Sequence, residues 1–154
     1  MLFLLFQVGS ARYALEASRV VEVVPLLCLQ RLPQSPPAVA GVFNYRGQPV
    51  PAVDLSQLTL GKAAQECLST RIIIVNYPDR DGRSHLLGLI AEQATETFRA
   101  ETSEFIDHGI RVGAPYLGPV LVGPNGPVQW VREQRLLSEP VRDSLFSGFA
   151  VNAI

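Results

Sequence analysis

Closely spaced cysteines, blocks of like charge and long apolar runs are all missing from this sequence. The two cysteines, Cys28 and Cys67, are far apart and form no C-x-x-C pair, so neither a zinc site nor a disulfide framework is indicated. We therefore expect no metal or other cofactor, and a reducing cytoplasm as the compartment. The 13 basic and 14 acidic residues give a net charge of −1 without a basic patch. Nucleic acid is consequently not an expected partner.

No stretch approaches the roughly 20 apolar residues that span a bilayer, because glycine, proline or a charge interrupts each run. The apolar opening at residues 1–6 has no basic residues before it and is shorter than the roughly 7–15 residues of a signal-peptide core. We interpret it as a buried strand. Any membrane association is expected to occur through a partner, without direct insertion.

Short apolar stretches separated by turn residues make up most of the chain, which predicts a mainly β fold. The 154 residues are enough for one compact domain of two small fused lobes. A polar break at 60–69 predicts lobe one at about 1–60 and lobe two at about 69–131. Helical spacing at 132–147 predicts a short helical C-terminal segment, which leaves 148–154 as a tail.

The start of lobe one has the pattern of a hairpin followed by an exposed rim. Residues 2–8 and 12–15 suit half-buried strands and flank a Gly-Ser turn. Ser18 is predicted to cap a brief helical turn that extends through residue 23. Val20 and Glu22 are then expected at the rim.

A second hairpin is predicted later in lobe one. Three prolines within 32–37 exclude a helix interior and predict an ordered loop. Residues 40–45 and 48–54 form two apolar runs around an Arg-Gly pair, in which the glycine can adopt a positive φ. Arg46 is therefore expected at the tip of a hairpin.

Lobe two begins with a β-branched run at 70–77, too continuous for a strand with one buried face and therefore expected at the centre of a sheet. Two further strands are predicted at 86–91 and 95–99. Residues 116–122 and 128–131 flank a segment that contains Asn-Gly, a strong signal for a tight turn.

One segment of lobe one carries a specific motif. Its residues follow the pattern G-x-x-N-x-R-G-x-x-x-P-x-x-D-L, with Gly41, Asn44, Arg46, Gly47, Pro51, Asp54 and Leu55 at the fixed positions. This resembles the signature of the CheW-type chemotaxis coupling proteins, and the similarity in order and spacing extends from about Phe3 to Leu137.

The resemblance implies two SH3-like five-stranded β-barrels that share an apolar core. It also implies a non-catalytic adaptor that binds the regulatory domain of a CheA-type histidine kinase and the cytoplasmic tip of a methyl-accepting chemoreceptor. Such an adaptor would be cytoplasmic and recruited to membrane receptor arrays. One lobe would dock on the kinase, and the groove between the lobes, near Arg46, would take the receptor.

Arg46 is the leading candidate for a partner contact, because a guanidinium keeps its charge and offers planar donors. A purely structural ion pair with Asp54 or Glu22 is the alternative that the residues leave open. Asn44 is expected to satisfy backbone groups of the hairpin or to contact a partner.

For the other candidate site residues, side-chain chemistry alone gives weaker support for a partner contact. Gly41 and Gly47 are interpreted first as backbone devices for close approach and turning, with any partner contact secondary. For Val20 and Glu22, the resemblance alone favours receptor contact. Tyr45 is bulkier than the leucine usual in the family, and its hydroxyl is expected to need a partner.

Further departures from the family pattern lie in lobe two. Ala91-Glu92 stands where many relatives have Val-Asp, and Gln129-Trp130 stands where a Leu-Asp pair is frequent. These positions predict a divergent binding surface.

The residue patterns that could indicate catalysis or metal binding are weak. His85 and His108 are isolated from each other and from the cysteines, so they suggest solvated or locally bonded side chains. Asp79 and Asp81 lack the other ligands of a calcium loop and are better explained by a turn. Asp54 follows a strand, and we expect a structural role for it. The remaining alternatives are a β-barrel regulatory module that binds another protein or a small ligand, and an enzyme with an unrecognised site.

Overall fold

The computed structural model describes residues 1–26, 28–107 and 114–152, with side chains up to residue 146. These parts contain nine strands: β1 (Leu2–Val8), β2 (Ala11–Glu16), β3 (Val20–Pro25), β4 (Val39–Tyr45), β5 (Gln48–Asp54), β6 (Arg71–Pro78), β7 (Ser84–Arg99), β8 (Leu117–Gly123) and β9 (Gly126–Val131). Two α-helices, α1 (Leu55–Leu60) and α2 (Glu139–Asn152), accompany them.

The strands form two five-stranded groups that share β7. Barrel A contains β8, β9, β2, β1 and the second half of β7, in that order. Barrel B contains β4, β5, the first half of β7, β6 and β3. Each barrel includes one parallel pair, β2 with β9 and β5 with β7, among antiparallel pairs.

Short backbone bridges close each group of strands. Gln30, after β3, pairs with Val42 of β4 in barrel B. Ile106, after β7, pairs with Val120 of β8 in barrel A. The mainly β fold of two SH3-like barrels that the resemblance implies is confirmed.

The barrels do not divide the chain into the two predicted lobes. β1 and β2 join β8 and β9 of the second half, and β6 joins the strands of the first half in barrel B. The physical reason is that strand pairing follows the meeting of apolar faces and not chain order. Turn signals cannot reveal a partner about 100 residues away.

Each barrel has its own apolar interior, and a third, larger cluster lies between the barrels. We call the third cluster the inter-barrel core; its buried members include Phe6, Leu15, Val53, Ile73, Val75, Leu87, Leu89, Tyr77 and Phe146. On β6, Ile73 and Val75 face the inter-barrel core, while Ile72 and Ile74 face the interior of barrel B. All four are 0% exposed. The prediction of a central strand from the β-branched run is confirmed, since both faces of β6 are covered.

Two local predictions were wrong, and one helix was missed. Ser18 does not start a helix that reaches residue 23, because the 3₁₀ turn covers only Ala17–Arg19 and β3 follows. The strands predicted at 86–91 and 95–99 are one strand, β7, in which Gln93 adopts a φ of 51° and bends the chain without ending it. Helix α1 was not predicted.

The C-terminal segment is helical, as predicted, but its helix does not end at residue 147. A 3₁₀ turn at Glu133–Arg135 precedes α2, and α2 extends to Asn152. Phe146 anchors α2: its ring lies 5.9 Å from the ring of Tyr77 and stacks at 4.6 Å on His85. The Tyr77 hydroxyl also accepts a hydrogen bond from the backbone N–H of Leu137 at 3.0 Å.

Candidate functional site

The β4–β5 turn presents Arg46 to solvent in a fixed backbone conformation. Arg46 has a φ of 52° and Gly47 a φ of 84°, so both central residues are left-handed, as in a type I′ hairpin turn. The side-chain oxygen of Asn44 accepts the N–H of Gly47 at 2.8 Å. Asn44 therefore satisfies a backbone group of the hairpin, which is the structural role expected for it.

Arg46 makes an ion pair with Glu22 across the space between β4 and β3. Its Nη2 lies 2.9 Å from Glu22 Oε1, and its guanidinium carbon lies 5.2 Å from the centre of the Tyr45 ring. The side chain of Arg46 is nevertheless 76% exposed, against 38% for Glu22. Because an exposed ion pair contributes only about 0–1 kcal/mol, Arg46 can exchange this partner for another at little cost.

Tyr45 is a third member of this cluster. Its hydroxyl donates to the same oxygen, Glu22 Oε1, at 2.8 Å. The hydrogen bond to Glu22 is the main cause of the raised pKa of Tyr45, and burial adds to the rise. The nearby positive charge of Arg46 partly opposes it. The hydroxyl therefore remains a proton donor. We call Glu22, Tyr45 and Arg46 the seam cluster, because they cross the seam between β3 and β4.

Asp54 accepts hydrogen bonds from backbone N–H groups and is not the ion-pair partner of Arg46. Its Oδ1 accepts the N–H groups of Ser56 and Gln57 at the start of α1, and its Oδ2 accepts the N–H of Ala64 at 3.0 Å. The structural role expected for Asp54 is confirmed. A capping residue before a Leu-x-x-Leu pattern was the signal that could have predicted α1.

The two candidate glycines have different surroundings. Gly47 has open space where a Cβ would lie, so its requirement is conformational. Gly41 is buried, and a Cβ there would lie 2.5 Å from the carbonyl oxygen of Gln30. Gly47 therefore allows the turn, and Gly41 allows two backbone segments to approach closely. Both interpretations are confirmed. Gly41 does not lie at the surface with Arg46.

Val20 also lies apart from the seam cluster. It pairs with Val75 and packs, partly buried, against the inter-barrel core. A register irregularity between Val20 and Glu22 places Val21, which is 43% exposed, at the rim instead. Sequence patterns could not predict this irregularity, since it depends on the pairing with β6.

The groups considered for catalysis have local partners. His85 lies 2.8 Å from Asp79 Oδ2, and Asp79 also accepts the N–H groups of Asp81 and Arg83. The hydrogen bond from His85 is the main cause of the lowered pKa of Asp79. The predictions that His85 is locally bonded and that Asp79 and Asp81 belong to a turn are confirmed. His108 lies outside the described residues.

Within the residues that the structure describes, no three acidic, histidine or cysteine side chains are grouped as metal ligands. Within the same ranges, no helix is both long and apolar enough to cross a membrane. An apolar groove lies between the barrels, with Ala38, Val53, Leu58, Tyr116, Leu137 and Val141 among its lining residues. Arg46 lies on the β4–β5 turn and is not among the described lining residues of this groove. The placement of the receptor groove near Arg46 stays a prediction.

The structure thus defines a mainly β domain of two fused five-stranded barrels, with an exposed arginine on a tight turn. Residues 2–141 match the family model of the CheW-like domain, and the chain therefore belongs to the CheW-like family.

Comparisons with individual proteins agree with this assignment. The chain is 30% identical over 103 residues to the chemotaxis protein CheW of Helicobacter pylori, covering 66% of this chain and 59% of that protein. It is 31% identical over 97 residues to that of Klebsiella aerogenes, covering 59% and 58%. The matched region thus spans less than two thirds of these relatives. The crystal structure of the scaffolding protein TtCheW from Thermoanaerobacter tengcongensis shares the fold, with a TM-score of 0.80 at 18% identity over 94% of this chain and 92% of that one.

Proposed function

We propose that this protein is a non-catalytic adaptor that couples methyl-accepting chemoreceptors to a CheA-type histidine kinase. The observation that carries the proposal is the CheW-like match over residues 2–141, in a chain whose described residues form both five-stranded barrels. The relatives' designation as chemotaxis proteins supports the same role. The adaptor acts in the cytoplasm and is recruited to receptor arrays through its partners.

An adaptor of this kind works by holding two partners in one geometry, so its effect on the kinase arises from differential contacts at two surfaces. The apolar groove between the barrels suits an amphipathic receptor helix, which would place side chains in it at helical spacing. One barrel docks on the kinase regulatory domain through strand-edge and apolar contacts.

The seam cluster supplies a separate, polar contact. Arg46 is exposed and fixed at its backbone, and its present partner, Glu22, can be replaced by a carboxylate or carbonyl of a partner. Asn44 and Gly47 hold the turn that presents it. Glu22 and Val20 are proposed to contribute to the same surface of barrel B, Glu22 by holding Arg46 in the free protein and Val20 by supporting β3.

The proposal is tested by calorimetric titration with the kinase regulatory domain from the same organism. A micromolar dissociation constant, equivalent to about −8 kcal/mol, is expected. The same titration with an oligomer of the receptor tip tests the second partner. Arg46→Glu is titrated in parallel and is expected to weaken one of the two interactions while the protein stays folded.

Arg80→Glu is the matched control, because Arg80 is an exposed arginine on a different turn, between β6 and β7. It is expected to bind both partners like the original chain. Absence of heat with both partners, with all proteins folded, would overturn the adaptor function. Equal binding by Arg46→Glu and Arg80→Glu would remove Arg46 from the site.

A second candidate function is a regulatory module that binds a small ligand. It is favoured by an open cleft of about 650 Å³ beside the proline-containing loop, with Cys28, Arg31, Gln57 and Thr70 among its lining residues. A ligand-dependent rise in the unfolding temperature, without binding to kinase or receptor, would favour this candidate.

A further inference from the structure

The seam between β3 and β4 is joined at two points in the described part of barrel B. At one end, Gln30 and Val42 exchange backbone hydrogen bonds of 2.9 and 2.8 Å. At the other end, the seam cluster provides side-chain contacts instead, where Glu22 of β3 meets Tyr45 and Arg46. The orientation of the Arg46 guanidinium therefore depends on how Glu22 is held.

Glu22 accepts two donors at one oxygen. Tyr45 donates from the end of β4 at 2.8 Å, in a partly buried position, and Arg46 donates from the exposed turn at 2.9 Å. Two donors on one oxygen share its electron density, and their positive hydrogens repel each other. The Tyr45 bond therefore weakens the hold of Glu22 on Arg46, and it leaves the carboxylate satisfied when Arg46 turns away.

We propose that Tyr45 is a positioning residue for Arg46, which keeps Glu22 hydrogen-bonded and so allows the guanidinium to transfer to an acidic group on a partner. This rests on the proposed function, in which Arg46 contacts such a partner. An apolar side chain at position 45 cannot donate this bond. Glu22 would then bind Arg46 more tightly, and partner binding would compete against a stronger internal ion pair.

The test measures how Tyr45→Phe, Glu22→Gln and the double variant bind the partner that responds to Arg46→Glu. Tyr45→Phe removes only the hydroxyl and is expected to weaken binding about twofold to fivefold. Adding Glu22→Gln removes the charge that retains Arg46. The double variant is therefore expected to bind as tightly as Glu22→Gln alone.

The matched control is Tyr13→Phe, because Tyr13 lies on β2, outside both the seam cluster and the described lining of the apolar groove. It is expected to leave partner binding unchanged. Unchanged binding by Tyr45→Phe overturns the proposal. A loss that Glu22→Gln does not rescue, with an unfolding temperature lowered by more than about 3 °C, indicates a structural role only and also overturns it.

A measurement on the free protein separates this inference from the proposed function. Rotation of the Arg46 guanidinium about its Nε–Cζ bond, followed by nitrogen NMR, is expected to be slower in Tyr45→Phe than in the original chain. If neither partner binds the original chain, the adaptor function fails, and the rotation rate decides the role of Tyr45. An equal rate in the two proteins overturns that role.

Discussion

Gly41 lies so close to the carbonyl group of Gln30 that a side chain cannot be added without moving the backbone. A Cβ there would lie 2.5 Å from the oxygen and 2.9 Å from the carbon of that carbonyl, and the φ of Gly41 is 150°. The neighbouring residue Val42 is bonded to Gln30 through both of its backbone groups. This close approach closes barrel B at the end of the seam opposite Arg46.

Gly41→Ala is therefore expected to lower the free energy of unfolding by about 3 kcal/mol, because it combines a steric clash with an unfavourable φ. Gly47→Ala tests the conformation alone, since Gly47 has a φ of 84° and open space around its Cα. It is expected to lower the free energy of unfolding by about 1–2 kcal/mol. Urea unfolding measures the free energy of unfolding of both variants. Equal decreases in the two would contradict the close-approach role of Gly41.

Asp54 connects β5, α1 and the loop after α1 through three backbone N–H groups, and it is 7% exposed. Asp54→Ala is expected to lower the free energy of unfolding by about 2–4 kcal/mol, since it removes a helix cap and bonds to a charged acceptor. Asp81→Ala, at an exposed turn, should change it by less than about 0.5 kcal/mol. Urea titrations compare the two, and a similar small effect of both would refute the connecting role.

Glu133 gives the stability a dependence on pH. It is 5% exposed, and burial raises the pKa of its carboxyl group, although Arg19 at 3.7 Å partly opposes this shift. A raised pKa means that folding favours the protonated form. The stabilising contribution of that form is complete below the ordinary glutamate pKa of about 4.3 and is lost as pH rises through the higher pKa of the folded state.

Glu133→Gln keeps a neutral side chain at every pH, so it is expected to be more stable than the original chain at pH 7. The difference should shrink as the pH falls toward 4. Urea unfolding at both pH values provides the measurement, with Glu66→Gln at an exposed position as control. A difference that stays constant with pH would show that ionisation of Glu133 is not its cause.

Ile73 lies at the centre of barrel B's sheet, between Val23 and Leu89, and is 0% exposed in the inter-barrel core. Ile73→Asp buries a charge without a partner, and we expect it to lower the free energy of unfolding by more than about 4 kcal/mol and to unfold the domain. Val122→Asp, at a position 73% exposed on β8, should remain folded. Circular dichroism distinguishes these outcomes. A folded Ile73→Asp protein would mean that the inter-barrel core is dispensable.

Local sequence chemistry predicted the elements whose causes lie within a few residues. The two apolar runs around Arg46-Gly47 predicted the β4–β5 hairpin, because a glycine between two strand-like runs can adopt the positive φ that a tight turn needs. The unbroken β-branched run predicted the burial of β6 on both faces. Asp54, at the end of β5, carried the signal for α1, but that signal is weak without knowledge of where the strand ends.

The sequence by itself thus determined the β class, the position of the hairpins and, through the motif around Arg46, the similarity to one family. Only the tertiary structure decided that β1 pairs with β7 and β2 with β9, and that Glu22 meets Tyr45 and Arg46. The physical reason is the range of the interactions. Turn and strand preferences depend on neighbouring residues, whereas strand partners and the seam cluster depend on contacts between segments that are far apart in the chain and are brought together by the burial of apolar faces.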